Sequence, residues 1–357
     1  MALNLVLSDS LRAAQKVVAH FPDLEDIFRA SSKKLAAIGV EKEKAAALTS
    51  SRLFEHASRT ISWLSKKGYF LLTVEDMDYP PNLKEIFDPP FVLYGAGRPE
   101  ALKEPAVAVV GARRPSPYGR ATAEKLAKDL AASGLTVVSG LARGIDSIAH
   151  WGALDSGTTV AVLGSGLDDI YPPENKGLFR KIAEGGAVIT EFPPEMPPFS
   201  FHFPLRNRVI SGLSLATVVV EATRQSGSLI TARLSLEQNR DVMAVPGCPA
   251  SDLSRGTNWL IKSGAKLVET WEDVVEELPS PLRERLLSRR TEEKRMPAMS
   301  SEEKRILDCL SVETPVHIDE LVAAADASVS ELLGLLLNLE LKGLVRQAPG
   351  KFFLRSL

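Results

Sequence analysis

The sequence predicts an α/β protein: a doubly wound, extended Rossmann-like parallel sheet flanked by an N-terminal helical domain and a C-terminal winged helix. Three observations predict it. Six apolar, β-branched runs at residues 106–110, 135–138, 159–163, 187–190, 216–220 and 241–245 alternate with helical stretches, and continuous apolar strands separated by helices form parallel sheets covered on both faces. Four of these runs end in glycine turns, the junctions such a sheet needs at its carboxyl edge. Both ends of the chain lack this alternation and carry helical spacing instead.

Taken in order, residues 1–70 form a helical domain of the SAM or helix-hairpin-helix type, with apolar positions at Leu11, Ala14, Val17 and Val18 and then at Leu24, Ile27 and Phe28. Its stretch Leu35-Ala-Ala-Ile-Gly-Val40 resembles a single helix-hairpin-helix. Two readings stand: a backbone phosphate clamp, or a cap that packs or holds a partner. A proline-rich bridge with Tyr79-Pro-Pro-Asn82 and Asp88-Pro-Pro-Phe91 leads into the doubly wound domain, residues 71–278. Residues 279–300 form a linker, partly helical, in which Arg283, Arg285, Arg289, Arg290, Lys294 and Arg295 outnumber Glu284, Glu292 and Glu293. In residues 301–357, helices at 301–310, 318–325 and 328–342 precede a ribbon turning at Pro349-Gly350, the order of a winged helix-turn-helix.

Charge is nearly balanced over the 357 residues, with 43 Lys and Arg against 45 Asp and Glu for a net −2. That excludes a protein coating nucleic acid by bulk charge, so any polyanion site is local. Cys248 and Cys309 stand far apart without CxxC or a histidine cluster, which predicts no disulfide framework, no metal site and a reducing compartment. The apolar start at residues 1–7 is too short for a signal segment, and no apolar run reaches membrane-spanning length. The expectation is a cytoplasmic protein without membrane contact.

The local anion site is sought at the glycine turns: Gly111-Ala-Arg-Arg114, Ser139-Gly-Leu-Ala-Arg-Gly-Ile-Asp146, Gly164-Ser-Gly-Leu-Asp168 and Ser226-Gly227-Ser228. Bare amides at helix N-termini face an anion there. Acids avoid most of these turns. The only Asp, Glu, Lys or Arg between Glu104 and Glu124 are Arg113, Arg114 and Arg120, those between Glu195 and Glu221 are Arg206 and Arg208, and those between Glu221 and Glu237 are Arg224 and Arg233. Rows of arginine beside exposed amides suit several phosphates; the alternative is arginines solvating helix faces. The third turn opposes a dinucleotide, because Asp168 and Asp169 stand where GxGxxG brings the pyrophosphate close. With GxxxxGK[ST] absent as well, no cofactor is expected.

Phe199, Phe201 and Phe203 interleave with Ser200 and His202 just before the arginines; they either stack on bases or plug a loop onto the core. Asn207 either reads a base edge or caps a helix opening at Arg208. Asp146, Glu191 and Glu221 lie near strand ends, but His150 and His202 lack a nucleophile partner and G-x-S-x-G is absent. The alternative function is a Rossmann-type nucleotide N-glycoside hydrolase resembling phosphoribohydrolases, with Glu221 as acid or base, although its Pro-Gly-Gly-x-Gly-Thr signature is missing. The helix expected to enter a DNA groove carries Glu331, Glu340 and Lys342 among seven leucines, which suits protein contact better than groove reading, while Arg346 and Lys351 on the wing leave weak backbone binding open.

Across the α/β region, Ala108-Val-Val-Gly-Ala-Arg-Arg114, Val138-Ser-Gly-Leu-Ala-Arg-Gly-Ile-Asp146, Tyr171-Pro-Pro-Glu-Asn-Lys176, Phe203-Pro-Leu-Arg-Asn-Arg-Val-Ile-Ser-Gly-Leu213, Val219-Val-Glu-Ala222, Ser226-Gly-Ser-Leu-Ile-Thr-Ala232, Val245-Pro-Gly247 and Gly256-Thr-Asn258 follow one another. This series resembles the motifs of the DNA-processing protein A (DprA/Smf) family, in order and nearly end to end. The resemblance implies a non-enzymatic protein that binds and protects single-stranded DNA and loads the recombinase RecA onto it during natural transformation, displacing or bypassing single-strand-binding protein. It implies phosphate contacts from Arg113, Ser139, Gly140, Lys176, Arg206 and Arg208, to which the turn chemistry adds Gly111, Arg114, Asn207, Gly227 and Ser228. Ala112 stands where the family often has serine, which removes a hydroxyl and leaves the amides. The resemblance also implies a homodimer through the later part of the domain, where Leu236, Trp259, Leu260 and Ile261 are the candidate contacts; for Leu236 and Ile261 a core position is an equal reading.

Overall fold

The computed structural model describes residues 1–293, 300–312, 314–325 and 328–355, and the chain divides into two compact units, Met1–Leu287 and Ser288–Leu357. In the first unit a nine-stranded sheet contains β1 (Phe70–Thr73), β2 (Val92–Gly97), β3 (Ala106–Val110), β4 (Thr136–Ser139), β5 (Thr159–Val162), β6 (Ala187–Thr190), β7 (Ala216–Val219), β8 (Asp241–Ala244) and β9 (Lys266–Leu267). Their order is β1-β2-β6-β5-β4-β3-β7-β8-β9. From β6 to β9 all neighbours are parallel, while β1 and β2 add an antiparallel edge beside β6. The chain winds outward from β3 through β6, then returns to place β7 on the other side of β3, which makes the β3–β7 boundary a topological switch point.

All six predicted strands are present, and the sheet is a covered one. Within each apolar run, side chains alternate between two cores as the two-residue strand period requires. Ala106, Ala108 and Val110 of β3 face the layer with Val209, Ile210 and Leu213 of the helix His202–Leu213, whereas Val107 and Val109 face Ala123, Leu126 and Leu130 of the helix Pro117–Ser133. Ala161 and Val188 continue that second face against Leu178, Phe179 and Ile182 of the helix Lys176–Gly185. A fully buried Val or Leu stabilises by about 1.5–3 kcal/mol relative to an exposed one, so these runs fix both faces of the sheet.

Helices fill the N-terminal segment, from Ala2–Leu7 to Arg52–Lys67, around Ala14, Val17, Ile27, Leu35, Val40 and Leu48. The first of them is an addition to the sequence reading. Its Asn4 donates to the Glu191 carbonyl at 3.0 Å and accepts from the Tyr94 hydroxyl at 2.8 Å, so it ties the helices to β2 and to the end of β6. The linker segment continues as a helix, Ser280–Glu293, with Leu286 packed into the sheet's second face; the side chains of residues 289–299, and with them Arg289, Arg290, Lys294 and Arg295, lie outside the described part.

The second unit is a winged helix, with helices Ser301–Asp308, Ile318–Ala325 and Val329–Leu341 and a three-stranded sheet of β10 (Val316–His317), β12 (Phe352–Arg355) and β11 (Val345–Ala348) in that order. Capping boxes Ser300/Glu303 and Ser328/Glu331 start its first and third helices. Leu332, Leu336 and Leu339 are buried, but Val329, Leu333, Leu337 and Leu341 are exposed, so only part of the leucine-rich helix serves the core.

Candidate nucleic-acid interface

A cleft of about 540 Å³ opens at the carboxyl edge over the β3–β7 boundary. Its floor and walls come from Gly111, Arg113 and Arg114 after β3, Ala142 and Asp146 after β4, Phe203, Arg206 and Asn207 from the helix following β6, and Thr223, Ser226, Gly227 and Ser228 after β7. Three of the four predicted turns therefore converge. The third, Gly164 to Asp168, does not reach the cleft, because the loop after β6 covers it: Gly166 donates to the Met196 carbonyl at 2.8 Å and Asp168 to that of Pro194 at 3.0 Å.

The turn after β3 is held in place from beneath. Glu221, buried at the end of β7, accepts from the Ser116 amide at 2.9 Å and the Ser116 hydroxyl at 2.5 Å, while Ser116 caps the helix Pro117–Ser133 through the Gly119 amide. A Cβ on Gly111 would stand 2.7 Å from Ile145 Cγ1, so this residue's place is one of close approach. Arg113 and Arg114 project into solvent without a carboxylate partner among the described residues, and the Arg113 guanidinium lies 5.8 Å from the Phe203 ring.

The other two arginines are a correction to the expected phosphate contacts. Arg206 is 5% exposed; it donates to the Gly140 carbonyl at 2.5 Å and to that of Val162, and burial pulls it down to about 10, opposed by Asp146. It lines the cleft floor as a fixed charge. Arg208 is 4% exposed and pairs with Glu191 at 2.5 Å and Asp88 at 3.2 Å, beneath the surface and away from the cleft. Burial raises the carboxyls of Glu191, Asp88 and Asp146 despite these cations.

Ser139 and Gly140 are corrected for the same reason. Ser139 is fully buried and donates to the Val109 carbonyl at 2.7 Å, and Gly140 lies against the Arg206 guanidinium, whose atoms stand 2.5 to 2.6 Å from where a Cβ would be. Lys176 is exposed at the start of its helix but outside the cleft lining; Asn175 beside it donates to the Leu141 carbonyl at 2.8 Å and ties that segment to the β4 turn. Asn207 reaches the cleft and accepts from Arg206 Nε at 3.2 Å, but it caps no helix, since it sits inside His202–Leu213. Gly227 is exposed, and the Ser226 and Ser228 hydroxyls meet at 2.7 Å.

The three phenylalanines divide. Phe199 and Phe201 are exposed, 45% and 51%, with parallel rings 5.6 Å apart, whereas Phe203 is half-buried against Gly164 and Tyr171. His202 beneath them is stacked on Phe192 at 4.0 Å. Among the four candidate dimer contacts, Leu236 and Trp259 are exposed, Ile261 packs partly on the core, and Leu260 is 6% exposed within it, which removes Leu260 from any surface role. Arg224 stands over the Trp259 ring at 5.8 Å. Ser200, Thr223 and Thr231 also line the cleft and were not singled out from sequence; Thr223 was within reach of the strand-end rule, lying between Glu221 and the Ser226 turn. No metal-holding cluster and no helix long and apolar enough to cross a membrane occur among the described residues.

Fold and cleft together define a class: a doubly wound α/β protein with an arginine-rimmed, serine-edged cleft at its topological switch point and a separate winged helix. The family model described as DNA recombination-mediator protein A matches residues 70–279, and that of the DprA winged helix domain matches residues 290–351. The chain belongs to the DprA/Smf family. It is 39% identical over 303 residues to Protein Smf of Escherichia coli K12, covering 82% of this chain and 79% of that one. The X-ray structure of DNA processing protein A from Streptococcus pneumoniae superposes with a TM-score of 0.66 at 38% identity, over 78% of this chain and 96% of that one. A structure of the Helicobacter pylori protein, concerned with its single-stranded DNA binding mode, gives a TM-score of 0.53 at 32% identity over 58% and 94%.

Proposed function

We propose that the chain binds single-stranded DNA in the β3–β7 cleft, in preference to duplex, protects it, and hands it to a RecA-type recombinase during natural transformation or recombination. The observation that carries this reading is the pair Arg113 and Arg114, without a carboxylate partner among the described residues and exposed at the rim of a cleft whose far edge is Ser226-Gly-Ser228. Phosphates contact these side chains and the amides near Gly111 and Gly227; Lys176 takes an outlying phosphate; Arg206 contributes field from below. Phe199 and Phe201 offer faces for bases, each worth about 1–3 kcal/mol and indifferent to sequence. The family relation and the single-stranded DNA bound by the H. pylori relative support the reading.

Glu221, the acid or base of the alternative hydrolase, is engaged by both the amide and hydroxyl of Ser116, so a binding role without turnover is favoured. The work is divided among residues 71–278 for DNA, 301–357 for a protein partner and 1–70 for a cap, in a cytoplasmic protein that meets RecA and single-strand-binding protein. Fluorescence polarisation with labelled single and duplex oligonucleotides across a salt series tests the core claim. Tighter single-strand binding with a steep salt slope is expected, and equal or tighter duplex binding overturns it. For the homodimer, Trp259→Glu is expected to give a folded monomer by light scattering and circular dichroism; a wild-type monomer at micromolar concentration, or a variant that stays dimeric, overturns that part.

A further inference from the structure

A second cavity, of about 890 Å³, lies between the N-terminal helices and the segment Pro193 to Pro197, and none of the residues predicted from sequence lines it. Its helical wall is the helix Arg52–Lys67, which presents Arg52, His56, Arg59 and Trp63 to the cavity. The spacing places them on one face, since residues four and then three apart stack along a helix. Arg52 and Arg59 are exposed and have no carboxylate partner among the described residues. The third cation of the lining, Lys44, is held by Asp9 at 2.8 Å and Glu41 at 3.8 Å, and the acids of the lining are Glu43 and Glu195.

The opposite wall connects this cavity to the cleft. The segment after β6 lines both: Pro193 to Pro197 of its loop face the N-terminal helices, while Ser200 at the loop's end and Phe203 and Pro204 in the first turn of the helix His202–Leu213 line the cleft. Flanking Ser200 stand Phe199 and Phe201, with exposed and nearly parallel rings. Cations, then two stacked aromatic faces, then cations beside a tryptophan is the alternation that tracks a flexible polyanion carrying flat bases. An acidic peptide would also pair with Arg52 and Arg59, but it carries no run of flat bases to match the parallel rings of Phe199 and Phe201.

We infer that the groove between the helix Arg52–Lys67 and the 193–197 loop is a second single-strand contact, through which DNA leaving the β3–β7 cleft passes over Phe201 and Phe199 to Arg52 and Arg59. This rests on the proposed single-strand reading of the cleft and extends it to the N-terminal helices. Its signature is length dependence: a short strand fills the cleft alone, and a longer one engages both.

The test measures binding of oligo-dT of about 6 and about 20 nucleotides to the full chain, comparing wild type with the Arg52→Ala/Arg59→Ala double variant and with Arg113→Ala. Two lost phosphate contacts flatten the log–log salt slope by about 1.4, or about tenfold in affinity near 0.15 M salt. The double variant is expected to show this loss on the long strand alone, and Arg113→Ala to weaken both lengths. A double variant that matches wild type at both lengths, or weakens both equally, overturns the groove and leaves the cleft standing. A wild-type chain that binds neither length overturns both. Because both arginines are exposed, circular dichroism of the double variant should match wild type, and a charge-reversed Arg52→Glu/Arg59→Glu variant should deepen the loss on the long strand; no deepening counts against the groove.

Discussion

The turn after β3 and the helix His202–Leu213 each bring two arginines to the same end of the sheet, yet only one pair faces solvent. Arg113 and Arg114 are exposed, while Arg206 and Arg208 are 5% and 4% exposed and committed to carbonyls and carboxylates. The first pair is available to a ligand; the second holds the floor on which the ligand site rests. Position on a covered sheet, and not residue type, divides them: the turn ends at the open carboxyl edge, whereas the helix packs along a face.

Breaking the buried pair gives the largest expected effect. Arg208→Ala leaves Glu191 and Asp88 without their cation in a buried site, and removing one partner of such a pair destabilises by about 3–5 kcal/mol. The urea midpoint should fall accordingly. Combining Arg208→Met with Glu191→Gln, which leaves only the partly exposed Asp88 carboxyl in the site, should recover part of the loss; a single variant as stable as wild type would place Arg208 among the ligand contacts after all.

Much of this was legible beforehand, and the exceptions have physical causes. The six parallel strands were readable because burial on both faces leaves unbroken apolar runs. Strand β2 escaped because Gly95 and Gly97 interrupt its pattern, and a Cβ on Gly95 would enter the Phe70 ring of β1; β9 and β10 are two residues each, too short for any period. Arg206 and Arg208 read as ligand contacts because no acid is near them in sequence; the partners of Arg208 arrive from the bridge before β2 and the end of β6, and those of Arg206 from the ends of β4 and β5. Leu260 beside the exposed Trp259 shows the same limit, since adjacent helix positions point into core and solvent. The groove at Arg52 and Arg59 was invisible because it exists only where two segments distant in sequence meet.

Acid titration sharpens the comparison by probing the buried layer alone. His150, fully buried, donates from Nδ1 to Thr159 Oγ1 at 2.7 Å, as it must because that hydroxyl donates to the Val137 carbonyl. Burial, reinforced by the Arg206 charge, pushes it down to about 3. The unfolded imidazole, near about 6.5, therefore takes a proton first as pH falls. This contribution to stability is complete above that value and is lost as pH drops toward the folded one, by about 1.4 kcal/mol per pH unit for one proton. His202, also lowered by burial, adds a slope of the same sign; Asp146 and Glu191, raised by burial, contribute with the opposite sign. In His150→Gln the pH dependence of the urea midpoint between about pH 6.5 and 5 should lose one proton's worth of this fall relative to wild type, and an unchanged slope would mean that the imidazole is reached by solvent.

Removing an exposed arginine is the smallest of these effects and isolates the ligand side of the comparison. Arg113 is exposed, lies over the Phe203 ring and has no carboxylate to strand among the described residues, so Arg113→Ala should leave stability within about 0.5 kcal/mol of wild type. What it removes is one cation at the cleft rim. For a single strand one phosphate contact contributes about 0.7 to the log–log salt slope, which amounts to about a fourfold loss of affinity near 0.15 M salt that vanishes toward 1 M. Binding isotherms across a salt series measure both slope and intercept, and the two must move together: an affinity loss without a change in slope would assign Arg113 to stacking against Phe203 and a base, and no loss at all would move the strand off the β3 turn. The contrast with Arg208→Ala is then complete when one variant alters salt dependence at constant stability and the other lowers stability while its folded fraction binds with the wild-type slope.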